Sequence, residues 1–552
     1  MALAYPKGKR RAAQRKLVRS ATMPAPVRGL RASDAIMGIG NTAEAALVLN
    51  NLIPRELGGE VRPGSVTVAT KLPSVANPDS GEVRTIIGFE GLTGSLSKKR
   101  FAATDLGIFD ITAESEGPWT EVYSWINTGG DAGWCSYISF TNVNGDPYIL
   151  LCDEQNGYIV YDGLLGTWAP GSTGAGDPGP EEFVQITEWQ NRIWLVQRDT
   201  ASAWYSGIGA ISGDFTEIDL GSRFLKGGFL VQLESWSFDD GSGLNDRLLA
   251  MSSAGDVLAF SGIDPGNASQ FEMDGRWFVG SPPKGRRVMS DWGGDVMILS
   301  SFGLITASVL ATTAEDNLNS DLWASKHIAR YFRAFMNERT EFYGWSMELA
   351  PLYGVGIFTI PQLPGFSDAP IQFCLNANTN AWCMFKNLDM RCANKDSTGF
   401  YFGTTDGRVL RLEGHVDNVG MTIEAEPNAG DPISWQTLTH YDPLGNPAIE
   451  KMMQFIRPYF IGGAAPSYNV RLNFDFDLNA LDGSPQSPET GLALWDEALW
   501  DEAAWAGAAQ NYESIRGVSG MGRQIAVTMI GESTTELSLL GYDLMYTDGG
   551  LL

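Results

Sequence analysis

One local pattern recurs along most of this chain: an apolar strand, a short polar turn, and a second apolar strand. It occurs five times, with the glycine of the turn at Gly107, Gly157, Gly255, Gly303 and Gly407. Gly107 and Gly157 are 50 positions apart, and Gly255 and Gly303 are 48 apart. A repeat of roughly 40–50 residues is typical of one four-stranded blade of a β-propeller. The spacing therefore predicts a propeller-like body, with any function on its faces, rim or central channel.

Two intervals of this repeat lack the glycine. We expect their turns at residues 198–201 and at residues 376–380, where polar residues separate apolar runs. Gly107 and Gly407 are 300 positions apart, so a repeat of roughly 50 residues gives about seven blades. Six blades remain the alternative.

The chain of 552 residues is too long for a single hydrophobic core, so more than one domain is expected. Its 64 glycines, 27 prolines and many aromatic residues favour short strands joined by turns. We therefore predict a mainly β protein. Its predicted parts are a basic N-terminal extension that is disordered or docks (1–23), a connecting segment (24–84), the β-propeller-like domain (85–416), and an additional C-terminal antiparallel β module or set of propeller-closing strands (417–552).

One segment has the spacing of an amphipathic helix instead of a strand. Apolar residues follow at steps of three and four from Ile328 to Met336, within a segment that begins at Leu322 and ends near Arg339. An apolar stripe usually faces its own core, so we expect this helix to pack on the propeller; a partner contact is the alternative. Further along, Val470 to Phe476 alternate with polar residues, which predicts a strand with one solvent-exposed face.

The net charge of −26 is unevenly distributed. Nine basic residues precede the first acidic residue, Asp34, which leaves 30 basic and 65 acidic residues in the remainder. Such an acidic body repels nucleic acid, although it could line a conduit through which DNA passes. The basic N-terminus is either a solvated tail or a contact for nucleic acid, a membrane or an acidic partner. Since no apolar run is long enough for a signal peptide or a membrane span, we expect no stable membrane insertion.

Residues that usually carry chemistry are sparse. The five cysteines have no spacing typical of a zinc site or a disulfide framework, so a reducing compartment and buried thiols are expected, including at Cys374, Cys383 and Cys392. The three histidines, His327, His415 and His440, lie far apart and outside any nucleophile motif. There is no phosphate-binding or dinucleotide-binding glycine motif.

An acidic stretch near the C-terminus has a partial likeness to a calcium loop. It contains Asp475, Asp477, Asn479 and Asp482, but Ala480 and Gln486 occupy the positions where such a loop needs glycine and glutamate. Solvated strand residues explain it better. We therefore predict no catalytic, cofactor-binding or metal-binding residue, and no enzymatic activity.

Three tryptophans, Trp495, Trp500 and Trp505, recur every five residues beside aspartate and glutamate. Neither a helix nor a strand places side chains five positions apart on one face, so successive short turns are expected. Indole rings beside carboxylates suit sugar binding, which makes a glycan-binding or glycan-cleaving propeller one functional hypothesis. Indoles packed on a sheet are the structural alternative.

Both ends of the chain contain short sequence motifs that resemble those of a known protein family. The first are Pro26-Val27-Arg28-Gly29-Leu30, the run from Ala46 to Pro54, and Gly59-Glu60-Val61-Arg62-Pro63-Gly64; the last are the Trp495–Trp505 stretch and the run from Leu539 to Gly550. In order and position, these resemble the termini of tail nozzle (tail tube or hub) proteins of short-tailed bacteriophages. The resemblance covers the two ends and carries no catalytic signature.

The resemblance implies a non-enzymatic virion protein of the phage tail, assembled in the cytoplasm of the bacterial host. It implies a homohexameric ring below the phage portal and adaptor rings, with tail fibres as further neighbours. The channel of such a ring carries and retains genomic DNA without reading its sequence, and an acidic lining would keep DNA from adhering. A protein-interaction propeller of the host cell is a third hypothesis.

Overall fold

The computed structural model describes residues 18–32, 44–91, 98–239, 244–267, 269–313, 320–363, 369–420, 430–477 and 510–549. The described chain is mainly β, as predicted. Five short strands come first: β1 (Val18–Pro24), β2 (Ala46–Asn50), β3 (Leu52–Pro54), β4 (Gly59–Val61) and β5 (Ser65–Ala69). They do not form a sheet of their own: β3 pairs with β4, and β1, β2, β4 and β5 each pair with strands far along the chain.

Seven sheet units, here called blades one to seven, then follow in order. Five are separate four-stranded sheets, blade five is three-stranded, and blade six is the four-stranded part of a larger sheet. Blade one consists of β6 (Thr85–Phe89), β7 (Lys99–Ala103), β8 (Gly107–Asp110) and β9 (Glu121–Ser124), and blade two of β10 (Cys135–Thr141), β11 (Pro147–Asp153), β12 (Gly157–Asp162) and β13 (Thr167–Pro170). Blade three consists of β14 (Phe183–Trp189), β15 (Arg192–Gln197), β16 (Ser202–Tyr205) and β17 (Thr216–Asp219). Blade four consists of β18 (Leu230–Asp239), β19 (Leu244–Ser252), β20 (Asp256–Gly262) and β21 (Phe271–Phe278).

The remaining blades contain the insertions of the propeller. Blade five is β22 (Met289–Asp291), β23 (Val296–Ser300) and β24 (Gly303–Thr306); blade six is β25 (Ser346–Ala350), β26 (Val355–Thr359), β27 (Ile371–Asn376) and β28 (Trp382–Lys386); blade seven is β29 (Cys392–Asp396), β30 (Gly399–Gly403) and β31 (Val409–Leu412), completed by β5. Between blades five and six lie helix α1 (Ala307–Thr312), two 3₁₀ turns (Ser320–Leu322 and Lys326–Ile328) and helix α2 (Ala329–Arg339). Further 3₁₀ turns are Pro180–Glu182 and Pro351–Tyr353.

The ring of blades is closed. The first strand of each blade contacts the first strand of the next, and β29 of blade seven contacts β6 of blade one. The N-terminal strand β5 pairs antiparallel with β31, with Ser65 opposite Leu412, so both parts of the chain build the last blade. The propeller prediction is therefore confirmed, with six four-stranded blades and the three-stranded sheet of blade five.

All five glycine turns join the second and third strands of a blade. Each turn begins with a buried polar residue: Thr104, Asp153, Ser252, Ser300 or Thr404. These side chains accept hydrogen bonds from backbone N–H groups inside the turn, as Asp153 does from Gln155 and Asn156 at 2.9 Å. Side-chain capping of this kind stabilises tight turns.

The two turns without glycine are also present, with one difference. Residues 198–201 join β15 to β16 of blade three at the expected place. Residues 377–381 join β27 to β28, which are the third and fourth strands of blade six. This second prediction is wrong about the position within the blade, because polar asparagine turns can close either hairpin.

The strands after blade seven extend the propeller. They are β32 (Val416–Asp417), β33 (Asp431–Thr439), β34 (Lys451–Gly462), β35 (Ser467–Phe474), β36 (Gln510–Glu513), β37 (Arg516–Gly522), β38 (Ile525–Ser533) and β39 (Leu537–Asp548). Strand β2 pairs in parallel with β28 and antiparallel with β33, so blade six continues through β2, β33, β38 and β35 into one nine-stranded sheet that also includes β32. A seven-stranded sheet combines β1, β3 and β4 with β34, β36, β37 and β39.

Part of the predicted basic extension is a strand. Residues 18–24 form β1, which pairs with β39 from Val18 opposite Thr547 to Pro24 opposite Gly541. Arg19 also forms an ion pair with Asp548 at 2.7 Å. Disorder is therefore the wrong expectation for residues 18–23, because the long C-terminal strand offers them an edge to pair with.

The predicted helix is shorter than expected. Its N-terminal part, from Ser320 to Ile328, consists of 3₁₀ turns, and α2 begins at Ala329. The physical reason is tertiary: the Ser325 hydroxyl accepts a hydrogen bond from the Leu304 backbone N–H at 3.0 Å, and Trp382 Nε1 donates to the Ala324 carbonyl at 2.9 Å. The buried residues Phe332 and Met336 join the core, so the expected packing of the helix is confirmed.

The expected alternation near the C-terminus is only partly present. In β35, Leu472 is buried as predicted, but its neighbour Asn473 is also buried at 2% exposure and donates to Thr528 Oγ1 at 2.7 Å. The prediction of one solvent-exposed face is therefore wrong at Asn473, whose amide is buried against Thr528 of the neighbouring strand β38.

The largest hydrophobic cluster spans blades five to seven, α2 and the two C-terminal sheets. Smaller clusters fill the spaces between successive blades from blade one to blade four. All five cysteines are buried free thiols, as expected, and Cys374 lies opposite Cys383 in the β27–β28 hairpin.

Candidate functional site: the central channel

The first strand of each blade lines the central channel and has one unpaired edge. Unpaired N–H and C=O groups are costly when they are removed from water, so they need other partners. Side chains of one blade supply these hydrogen-bond partners to the backbone of the next blade. Ser136 Oγ accepts from Ile186 N at 3.2 Å, Gln185 Nε2 donates to Leu233 O at 2.9 Å, and Gln232 Nε2 donates to Met289 O at 2.8 Å.

The same device continues around the ring. Thr85 Oγ1 donates to Gly133 O at 2.6 Å, and Ser290 Oγ donates to Met347 O at 2.7 Å. From blade one to blade six, the channel wall is therefore bonded from blade to blade by polar side chains. Gln372, in the third strand of blade six, also donates through Nε2 to Met390 O, before β29, at 3.1 Å.

Two consecutive arginines close one end of the channel. They precede β22, on the face that carries the five glycine turns. Arg286 is 8% exposed and donates to both carboxylate oxygens of Glu154 in blade two, at 3.1 and 3.2 Å. Its Nη1 also donates to the carbonyls of Leu230 and Val231 in blade four, at 3.1 and 3.2 Å. Arg286 thus links blades on different sides of the channel.

Arg287 makes the corresponding links toward blades one and two. It donates to the Cys135 carbonyl through Nε at 3.0 Å and through Nη2 at 2.6 Å, and to the Arg84 carbonyl at 3.2 Å. It also donates to the Thr85 hydroxyl. Guanidinium groups suit this task because one planar group can satisfy several acceptors at once.

Aromatic rings cover the same end. Trp134 of blade two stacks on Tyr343, with ring centroids 6.0 Å apart and 14° between planes. Lys284 Nζ lies 4.3 Å from the Tyr343 centroid and 3.2 Å from an Asp131 carboxylate oxygen. A cavity of about 290 Å³ remains beside this group, lined by Glu154, Lys284, Arg286 and Tyr343 among others.

Carboxyl groups lie further along the channel. Glu234, Asp291 and Glu348 belong to the first strands of blades four, five and six. Asp291 pairs with Lys395 of blade seven at 3.6 Å, and Gln232 Nε2 donates to Glu234 at 3.0 Å. The channel thus has an arginine end and a carboxyl region.

Burial changes the proton affinity of Glu234 and Glu348. Desolvation, with a smaller effect from the charges of Asp291 and Glu348, raises the pKa of Glu234 to about 8, against the lowering effect of the Gln232 hydrogen bond. Desolvation also raises the pKa of Glu348 to about 7, although Lys395 and Arg287 lower it. Near neutral pH, both groups hold their protons for much of the time.

The structure does not bring the predicted chemistry-bearing residues together. His327 lies in a 3₁₀ turn, His415 precedes β32, and His440 follows β33 with its Nε2 3.2 Å from the Arg31 carbonyl. Burial raises the pKa of Cys135, Cys152, Cys374 and Cys392, which makes these thiols less reactive.

The possible metal ligands and the calcium-like stretch do not form a metal site within the described residues. Among the described residues, no group of three histidine, cysteine, aspartate or glutamate side chains is placed to hold a metal ion. Asp475 Oδ1 instead accepts from the backbone of Arg523 and Gln524, at 2.8 and 3.0 Å. Trp495, Trp500 and Trp505 lie outside the described residues, as do Asn479, Ala480, Asp482 and Gln486 of the calcium-like stretch.

Sequence reasoning missed the arginine pair. A signal was present, since Lys284, Arg286 and Arg287 form a rare basic cluster in an acidic chain and follow two prolines. From the sequence alone, such a cluster indicates a basic surface patch, because the arrangement of the blades around it is not yet known.

No protein-family description and no curated protein matches this sequence. Solved structures share features of the fold at low similarity. Two are extracellular domains of bacterial systems from B. thetaiotaomicron. One, of a hybrid two-component system, has a TM-score of 0.40 and 10% identity over 79% of this chain and 57% of that chain. The other, of a one-component system, has a TM-score of 0.40 and 9% identity over 88% and 64%.

A third structure is YCF48 bound to D1 peptide, with a TM-score of 0.35 and 10% identity over 68% of this chain and 99% of that chain. This chain therefore spans about three fifths of the length of the two extracellular domains. Within its described part, none of the helices has the length and apolar character needed to cross a bilayer.

Proposed function

We propose that this chain is a structural subunit of the tail nozzle of a short-tailed phage, without enzymatic activity. The observation that carries the proposal is the closed channel: the space where a propeller commonly binds a ligand is crossed by Arg286 and Arg287. Their partners are carbonyls, a hydroxyl and the Glu154 carboxylate of this same chain. The terminal phrases that resemble nozzle proteins and the acidic composition give it further support.

The closed channel also bears on the path of DNA. A DNA duplex cannot pass a channel that Arg286 and Arg287 cross from blade to blade. In the proposed homohexameric ring, the bore therefore lies between subunits, on the axis of the ring. An acidic subunit surface would keep DNA from adhering there. The ring would lie below the portal and adaptor rings, in the virion, with tail fibres nearby.

Electron microscopy tests the proposal directly. Purified full-length chain should form six-fold rings, and antibodies against it should label the tail tip of intact virions. In a filter-binding assay, duplex DNA should not be retained at physiological salt. A chain that stays monomeric and is absent from purified virions would contradict the proposal.

The glycan-binding or glycan-cleaving propeller remains the alternative. It depends on Trp495, Trp500 and Trp505 and their neighbouring acids, which lie outside the described residues. A glycan array with a hydrolysis assay separates the two functions. Binding that disappears in Trp500→Ala, while the thermal stability stays unchanged, would favour the glycan function.

A further inference from the structure

One face of the propeller carries exposed aliphatic side chains at the tips of its loops. The described loops that join first to second strands, or third to fourth strands, lie on the face opposite the glycine turns. In blades two to four these loops present side chains that are 54–75% exposed. We call them the apolar loop patch: Val143, Leu164, Leu165, Ile208 and Ile263.

The patch is one connected surface. Gly209, next to Ile208, lies against Val143: a Cβ placed on it would be 2.4 Å from Val143 Cγ1. Gly163, next to Leu164, donates its N–H to the Pro147 carbonyl at the base of the loop that carries Val143, at 3.0 Å. The loops of blades two and three therefore touch.

An ion pair continues the surface to blade four. Arg192, at the start of β15, lies 3.8 Å from Asp264, which follows Ile263. Exposed apolar side chains clustered on one face in this way usually mark a contact with another molecule.

The loops of the patch carry acidic charge, and Arg192 beside them is 14% exposed and paired with Asp264. Loops 142–146, 163–166, 206–215 and 263–270 contain Asp146, Asp214 and Asp264 and no lysine or arginine. Asp162 lies directly before the third-to-fourth loop of blade two. An occupant of the patch should therefore combine apolar side chains with positive charge.

This chain contains a segment with that composition. Residues 1–17 include Leu3, Tyr5 and Leu17 among six basic residues and no acidic residue. The segment continues directly into Val18 of β1, in the seven-stranded C-terminal sheet. Seventeen residues can span at most about 55–60 Å, so the segment can extend well beyond β1.

We infer that the apolar loop patch binds the basic segment 1–17 of a neighbouring copy of this chain. The inference rests on the homo-oligomeric ring proposed above. The patch and β1 are different surfaces of the molecule, so the contact is heterologous, and contacts of this type close into rings when the rotation between copies permits.

Isotope-mixed cross-linking tests the contact. Full-length chain labelled with ¹⁵N is mixed with unlabelled chain, treated with a zero-length carbodiimide, and analysed by mass spectrometry. We expect amide links from Lys7, Lys9 or Lys16 of one copy to Asp146, Asp162, Asp214 or Asp264 of the other. The yield should fall several-fold between 50 and 500 mM salt, because screening weakens exposed charge pairs.

A double variant and its control sharpen the test. Leu165→Ser with Ile208→Ser should lower the yield of these links at least five-fold and should leave the melting temperature unchanged, since both side chains are exposed. The matched control, Leu225→Ser, alters a leucine of 64% exposure on the opposite face and should leave the yield unchanged.

The outcomes separate the two proposals. Rings that form without these links, or links confined to one copy, overturn the docking of segment 1–17 and leave the ring intact. A chain that is monomeric at every concentration overturns the ring, and the docking between copies with it.

Discussion

The arginine end and the carboxyl region of the channel accommodate ionisable side chains in opposite ways. At the arginine end, Arg286 is buried as a cation and has a carboxylate and two carbonyls as partners. In the carboxyl region, Glu234 and Glu348 have few cationic partners and a raised pKa instead. A buried charge thus either finds partners or becomes neutral.

This difference has consequences for stability. The arginine end should be sensitive to the loss of a partner, because each remaining group would stay buried and unsatisfied. The carboxyl region should be sensitive to pH, because the fold disfavours its ionised form. Substitutions at the two ends therefore have effects of opposite sign.

The largest effect is expected for Arg286→Met. It removes the partner of Glu154, which is 9% exposed, and leaves two carbonyls without their donor. Breaking a buried pair on one side costs about 3–5 kcal/mol. Urea unfolding followed by tryptophan fluorescence should show a clearly lower midpoint.

A double variant provides the control for that loss. Adding Glu154→Gln to Arg286→Met removes the stranded carboxylate and should restore part of the stability. An unfolding midpoint of Arg286→Met equal to that of the unaltered chain would show that the guanidinium does not hold the arginine end closed.

A smaller loss is expected for Gln232→Leu. The Gln232 side chain accepts from the backbone N–H groups of Val288 and Met289 at 2.7 and 2.8 Å, and it donates to the Met289 carbonyl. Leucine fills the space but leaves these groups unpaired, at a cost of about 2 kcal/mol. Gln510→Leu, at an exposed position in β36, serves as the control in the same urea experiment. Equal midpoints for the two variants would contradict the role given to Gln232.

In the carboxyl region, Glu234→Gln should stabilise the protein. The folded pKa of Glu234, about 8, lies above the value of about 4.3 expected in an unfolded chain. The folded state therefore binds the proton more tightly, and ionisation costs stability as the pH rises from about 4.3 to 8.

The amide cannot ionise, so Glu234→Gln should be more stable than the unaltered chain at pH 8 and should gain nothing near pH 4. Unfolding midpoints measured at several pH values test this. The stability gained by Glu348→Gln should also increase with pH, but it should reach its full value near pH 7, because the folded pKa of Glu348 is lower. A gain for Glu234→Gln that shrinks as the pH rises would reverse the assigned direction.

The blades were predictable because their signal is local. Each glycine turn lies within a single hairpin, and four of the five glycines have φ between 78° and 144°, which other residues rarely adopt. Gly107 is an exception, where a Cβ would lie 2.5 Å from the Tyr123 carbonyl. A turn motif can therefore be read without knowledge of the fold.

The closure of the ring and the channel were not predictable in this way. Strand β5 pairs with β31 across more than 300 positions of sequence, and β2 joins β28 through Asn50 opposite Met384. Arg286 finds Glu154 only because the ring brings blades two and five to one axis. Such contacts depend on the closed arrangement, and the residues involved carry no local signature.

The smallest effect is expected at the mouth of the arginine end, for Lys284→Met. Lys284 pairs with Asp131 at 3.2 Å, but the two side chains are 40% and 42% exposed. An exposed pair contributes about 0.5 kcal/mol, because water competes with each partner and salt screens the attraction. The unfolding midpoint should shift slightly in low salt and match that of the unaltered chain in 1 M NaCl. A loss as large as that of Arg286→Met would mean that the pair is sheltered from water, and that burial does not distinguish the mouth of the channel from its interior.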